Sequence, residues 1–166
     1  FDLSVDPFNS ATTSYFHKTV GGYHRAKLRR YRDMIDFYIG KGDQKVLNML
    51  NTKYIIDRNG SVSRNPNAMG NAWFVSTVKS VRTPDEEIQA ISTINPAEEA
   101  VILTSEFNEI KINPSYSKNG TISLASYEPN KLSYQSNSTS DQLAIFSEIW
   151  FGPNKGWNVT IDGQSV

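Results

Sequence analysis

Cysteine is absent from the 166 residues. A disulfide framework is thereby excluded, and the compartment stays open, since a lack of thiols suits a reducing cytosol and a bacterial envelope alike. Histidine is nearly absent too, with His17 and His24 alone. No set of three or four His, Cys or carboxylate ligands at recurrent spacing accompanies them, so no metal site or cofactor is expected. Long hydrophobic runs are missing. The longest, such as Ala100-Val101-Ile102-Leu103, are about four residues, far below the ~20 that a membrane-spanning helix requires. A surplus of either charge is missing as well: 17 Lys/Arg meet 17 Asp/Glu. That balance argues against wholesale binding to nucleic acid or anionic lipid.

What is present describes a globular chain. With 38% hydrophobic and 20% charged residues, it is neither collagen nor coiled coil nor a disordered tail. Its length suits one domain or two small ones, able to bury roughly two-thirds of the unfolded surface. The zero net charge conceals a split. Residues 1–83 carry 13 Lys/Arg and 6 Asp/Glu, whereas residues 84–166 carry 4 and 11, giving +7 and −7. These halves also differ in pattern, which divides the expected architecture at residue 83.

The opening stretch to Tyr23 lacks a sustained period and predicts an ordered loop ending at Gly21-Gly22. Over residues 24–39, Leu28, Tyr31, Ile35 and Tyr38 follow helical spacing with Arg25, Arg29, Arg32 and Asp36 opposite. Gly40 is expected to end that helix, and Gly42-Asp43 to start a second one carrying Val46, Leu47 and Leu50, the pair forming a helical hairpin. Residues 53–57 and 72–81 predict strands joined by a long polar loop. Thr83-Pro84-Asp85-Glu86 supplies an N-cap, a proline at the first helical position and a reciprocal carboxylate, predicting a helix to about residue 94. Strands are then expected over 100–103, 109–112, 121–127, 131–136, 142–151 and 157–161, separated by turns such as Asn119-Gly120 and Asp162-Gly163. The expected class is α+β, an N-terminal helical segment followed by an antiparallel β-sandwich or jelly-roll-like sheet. Phe1 in place of Met, and a turn at Asp162-Gly163 three residues before Val166, predict a piece of a longer protein.

Candidate chemistry is sparse. Between residues 15 and 32, aromatics and cations interleave: Tyr15, His17, Tyr23, His24, Lys27 and Arg30 could hold a sugar ring or an anionic oxygen. The competing reading is a solvated helix face, because Arg29 with Asp33 and Arg32 with Asp36 are four apart. No Gly-x-Ser-x-Gly elbow occurs. The carboxylate clusters Asp85-Glu86-Glu87 and Glu98-Glu99 are expected at helix starts, where the macrodipole favours them without catalysis. Four Asn-x-Ser/Thr sequons begin at Asn59, Asn119, Asn137 and Asn158. Turn and strand contexts account for them, and no glycans are expected.

Two stretches carry a family resemblance. Residues 14–31, from Ser14-Tyr15-Phe16-His17 through Gly21-Gly22-Tyr23-His24-Arg25 to Tyr31, together with residues 47–56, resemble the extracytoplasmic part of YfhO-type bacterial membrane proteins in a Bacteroidetes-like version. The tail Ser147-Glu148-Ile149-Trp150-Phe151 with Gly156-Trp157-Asn158-Val159-Thr160-Ile161-Asp162-Gly163 resembles that family's strand-turn signature, and Asn71-Ala72-Trp73-Phe74-Val75 fits between. The resemblance implies a polytopic inner-membrane protein similar to lipid-linked-sugar glycosyltransferases, with this region on its periplasmic face and inactive alone. The implied partners are the membrane-embedded part of the same polypeptide and an envelope glycan or polymer, not nucleic acid. The first functional expectation is a non-catalytic module that positions a glycan acceptor through the six residues above. The alternative is a structural platform docking through the +7 half, and an independent hydrolase ranks third.

Overall fold

The computed structural model describes residues 1–106, 113, 115–150 and 156–165. Its class is α+β. Helices occupy Thr12–Phe16 (α1), Arg29–Phe37 (α2), Gln44–Met49 (α3) and Pro84–Ala90 (α4). Strands occupy Tyr54–Ile56 (β1), Val62–Arg64 (β2), Ala72–Val75 (β3), Thr77–Val81 (β4) and Glu99–Leu103 (β5), then Gly120–Glu128 (β6), Lys131–Ser138 (β7), Leu143–Phe146 (β8), Thr160–Ile161 (β9) and Gln164–Ser165 (β10). Among the described residues these pair two at a time, in five ladders, with no larger sheet of the kind a sandwich stacks.

The amphipathic helix begins later than its periodicity suggests. Residues 24–28 offer no capping side chain, and the His24 ring Nδ1 accepts the Ala26 N–H at 3.1 Å, so the first helical residue is Arg29. The turn after α2 takes Gly40 into a short 3-10 segment, Ile39–Lys41. The left-handed stop falls on Gly42, whose φ of 72° an L side chain adopts only with strain. Asp43 then caps α3, its Oδ1 accepting the Val46 N–H at 3.0 Å. Ile35, Tyr38, Ile39, Val46 and Leu47 close into the main core, with Phe1, Phe8, Val20, Leu50 and Ile88 packed around it. Each such side chain contributes about 1.5–3 kcal/mol by leaving water.

The capping signal at residue 83 holds. Thr83 Oγ1 accepts the Glu86 N–H at 3.2 Å, while the Glu86 carboxylate reaches back to the Arg82 N–H at 2.7 Å. Past Ala90 the last turn of α4 tightens: the Gln89 and Ala90 carbonyls accept the Ser92 and Thr93 N–H groups three residues on, at 3.1 and 2.9 Å, and Ser92 Oγ and Thr93 Oγ1 donate to the same carbonyls at 2.7 and 2.9 Å. The helix links β4 to β5, which pair in parallel from Thr77–Glu99 to Val81–Leu103, against the antiparallel expectation. Val81, Ala90 and Leu103 bury a second, smaller core in this crossover unit.

The strand expected over 72–81 divides at Ser76. The Glu98 carbonyl accepts both the Ser76 and Thr77 N–H groups, at 2.8 and 3.0 Å, turning the chain so that β3 pairs with β8 and β4 with β5. The segment after β1 also departs from a plain loop. Asp57 Oδ1 accepts the N–H groups of Asn59 and Ser61, at 2.8 and 2.9 Å, and folds Val62–Arg64 back as β2. β6 and β7 form the longest ladder, irregular between Leu124 and Ser126. Asp162-Gly163 joins β9 to a returning β10, and the strand expected over 157–161 shortens to Thr160–Ile161. The strand expected over 142–151 is seen as Leu143–Phe146. The strand expected at 109–112, and residue 151, lie outside the described residues.

Candidate binding site

The interleaved aromatic and basic residues sit on a segment tied down at several points. The Asp2 carboxylate accepts Thr13 Oγ1 at 2.7 Å and Ser4 Oγ at 2.6 Å. Those hydrogen bonds, Ser4's foremost, hold its pKa below the ordinary Asp value. Asp6 gathers Phe8 N–H, Asn9 N–H and Asn9 Nδ2 within 3.0 Å. The return at Gly21-Gly22 runs so close to Pro7 that a Cβ at Gly21 would overlap the Pro7 carbonyl oxygen, which also accepts the Gly22 N–H at 2.6 Å. Tyr31 reaches from α2 to hydrogen-bond the Val20 carbonyl, and burial pushes its phenol up to about 12. A loop was expected here; α1 forms within it, its Tyr15 and His17 N–H groups bonding the Ala11 and Thr13 carbonyls at 3.0 and 2.9 Å.

The six expected contact residues divide into four exposed side chains, Tyr15, His17, Tyr23 and His24, and two engaged cations, Lys27 and Arg30. Tyr15 is 83% exposed, edge-on to Phe16 with centroids 4.9 Å apart. His17 is exposed one residue beyond α1. Tyr23 is 49% exposed and its hydroxyl accepts Arg25 Nε at 2.9 Å. His24 is exposed and turns its Nδ1 to the backbone. Half-buried Lys27 donates to the Phe8 and His24 carbonyls at 3.4 and 3.3 Å, 6.0 Å from the Tyr23 ring centroid. Arg30 is engaged elsewhere. It bridges Glu87 on α4, at 2.9 Å, and Glu106, at 2.8 Å, so it joins the basic and acidic halves instead of facing a ligand. Burial works against its charge, but the Glu106 hydrogen bond and the two carboxylates raise its pKa above the usual guanidinium value. Of the helix-surface pairs expected, Arg32–Asp36 forms at 3.0 Å, and Arg29–Asp33 does not.

Sequence reasoning found strands β6, β7 and β8 but missed that residues on and just past them lie beside this segment. Lys18 lies over the ring of Tyr127 at the end of β6. Glu148, just past β8, has its pKa raised by burial, with the Lys18 charge opposing. Tyr134 on β7 stacks edge-on to Phe146 at 4.7 Å, and burial foremost, then the Glu148 charge, raises its phenol. Only the alternation of β7 marks Tyr134 as inward-facing; nothing in sequence spacing joins residues 18, 127, 134 and 148. The other acidic cluster moves from its expected setting: Glu98 pairs with Lys118, and Glu99 opens β5 and accepts the Asn95 N–H at 2.7 Å.

Chemically, the surface offers exposed aromatic faces, two imidazoles and cations, the parts for stacking on a sugar ring and binding an anionic oxygen. Among the described residues no three His, Cys, Asp or Glu side chains converge on one point, and no helix is long and apolar enough to cross a membrane. No family model matches the chain, and no curated protein or solved structure matches it either.

Proposed function

We propose that the chain is a non-catalytic recognition module that holds a glycan or polymer of the cell envelope for a membrane-bound transferase, as the YfhO-type resemblance implies. The supporting observation is the exposure of Tyr15, Phe16 and Tyr23, at 83%, 69% and 49%, on a segment that the Asp2, Asp6 and Gly21 contacts hold in one conformation. Exposed aromatics on a fixed backbone are poor for stability and good for ligand stacking. In this reading Tyr15, His17, Tyr23, His24 and Lys27 make the contacts, and Arg30 braces the helix behind them. The membrane-embedded part of the same polypeptide is the module's partner, on the periplasmic face.

The docking-platform alternative has less support. One of the cations it needs, Arg30, is already neutralised by Glu87 and Glu106. Titration of the intact chain with envelope glycans and polyprenyl-phosphate headgroups, followed by backbone-amide NMR, tests the proposal. Saturable shifts over residues 13–28 are expected; their absence with every ligand overturns it. Hydrophobic segments in the rest of the reading frame, about a dozen of them, are the matching expectation for the membrane setting.

A further inference from the structure

Away from the N-terminal segment, two open depressions of about 460 and 550 Å³ adjoin, sharing Met69 and Ala97 as a common wall. Each falls in the size range of small-molecule sites, roughly 300–1,000 Å³. The first lies where β3 passes β6, between Trp73 on one side and Thr121 and Ile122 on the other, with Lys118 in its lining. The second is lined by the amides Gln44, Asn48, Asn67 and Asn95. The two adjoining depressions, called the trough below, offer an aromatic side at Trp73 and an amide side at Gln44, Asn48, Asn67 and Asn95.

Its walls are fixed before any ligand arrives. Trp73 Nε1 donates to the Pro96 carbonyl at 2.8 Å, locking the indole. Asn65, 8% exposed, ties the loop carrying Asn67 to helix α3 through Asn48 Oδ1 and the Thr52 carbonyl, at 2.8 and 2.9 Å, and the Met69 N–H adds the Asn48 carbonyl at 3.0 Å. Asn48 Oδ1 also accepts Gln44 Nε2 at 2.9 Å, so that oxygen takes two donors and Asn48 keeps its Nδ2 donors. Of the two lysines in the lining, Lys118 is neutralised by Glu98 and also donates to the Ala97 carbonyl, while Lys45 is turned to the Ser92 carbonyl at 2.8 Å and keeps its charge.

An indole for stacking, amide N–H donors on Asn48, Asn67 and Asn95, and a lining in which amides outnumber charged groups describe a site for a polyhydroxylated neutral ligand. We infer that this trough binds a neutral oligosaccharide chain, its aromatic side stacking on one sugar and its amide side hydrogen-bonding the next. The inference rests on the glycan-binding reading above and assigns it a second surface, distinct in charge from the basic N-terminal segment.

The test uses the intact chain with neutral malto-, cello- and chito-oligosaccharides of increasing length. Saturable shifts of the Trp73 indole N–H and the Asn48, Asn67 and Asn95 amides are expected, with affinity rising with length and unchanged up to roughly 0.5 M salt, where exposed charge is screened. Gln44 and Asn67 are exposed, so the double variant Gln44→Ala, Asn67→Ala keeps the fold and should bind about tenfold or more weakly, as expected for lost hydrogen bonds. Trp73→Phe, which retains a ring, should weaken binding less than Trp73→Ala. Shifts confined to residues 13–28, or binding of anionic glycans alone that salt abolishes, overturn the trough while leaving the recognition module intact. No saturable shift with any neutral or anionic glycan overturns both.

Discussion

Ile39 and Val46 are wholly enclosed, whereas no residue of the β6–β7 ladder is buried. The first region owes its stability to side chains leaving water. The second owes it to backbone pairing and to a polar knot at its base, where Asn119 Oδ1 accepts Ser117 Oγ, Ser140 Oγ and Gln142 Nε2 at 2.7, 2.9 and 2.9 Å. A two-stranded ladder alone is marginal in water. The contrast therefore assigns the framework to α2, α3 and their neighbours.

The sharpest way to break this contrast is a pair of truncations. Ile39→Ala should cost about 2–5 kcal/mol, because the cavity lies in a closed core, while Leu124→Ala on half-buried β6 should cost under about 1.5 kcal/mol. Urea melts of both decide it; equal losses contradict the assignment. Next in size is Gly21→Ala, which forces the N-terminal return away from Pro7 and should cost about 1–3 kcal/mol. It should also abolish glycan-induced shifts at Tyr23, whereas Tyr23→Ala, exposed, should weaken binding and leave stability within about 0.5 kcal/mol.

Smaller effects test the joint between the halves. Arg30→Ala removes two partly exposed ion pairs, so a loss below about 1 kcal/mol is expected, shrinking further in salt. The smallest effect is a pH slope. Burial raises the folded-state pKa of Glu148 above its ordinary 4.5, so the folded form holds that proton more tightly than the unfolded chain does. Its contribution to stability therefore increases as pH falls through the raised value towards 4.5, opposite to the trend of hydrogen-bonded Asp2, whose contribution is lost as pH falls below 3.8. Denaturation midpoints against pH should show the Glu148 increment disappear in Glu148→Gln and the Asp2 loss disappear in Asp2→Asn.

Local chemistry made part of this fold legible. Thr83-Pro84-Asp85-Glu86 marked α4 because the cap, the proline and the carboxylate act within one turn. The strands expected over 121–127 and 131–136 match β6 and β7 within two residues at each end. What escaped depends on distant partners. The division at Ser76 comes from a carbonyl at Glu98, and the parallel pairing of β4 with β5 from the crossover that α4 makes. At the site, the grouping of Tyr15, His17, Tyr23 and His24 followed from their nearness in the sequence, and their exposure came from the structure. The loss of Arg30 to Glu87 and Glu106 did not, since those carboxylates lie 57 and 76 residues away. Likewise the trough brings together Gln44, Asn67, Asn95 and Trp73, residues no spacing rule connects.

In the proposed reading, a helical frame built on α2 and α3 carries two separate surfaces for recognition. Residue-resolved NMR titration of the intact chain with a neutral oligosaccharide, then with a polyprenyl-phosphate headgroup, tests it most directly. Two non-overlapping sets of saturable shifts are predicted, the first around Asn67 and Trp73 and the second around Tyr23 and Lys27, with Ile39 and Val46 unmoved. Absence of saturation with both ligands, or shifts centred on Ile39 and Val46, contradicts it.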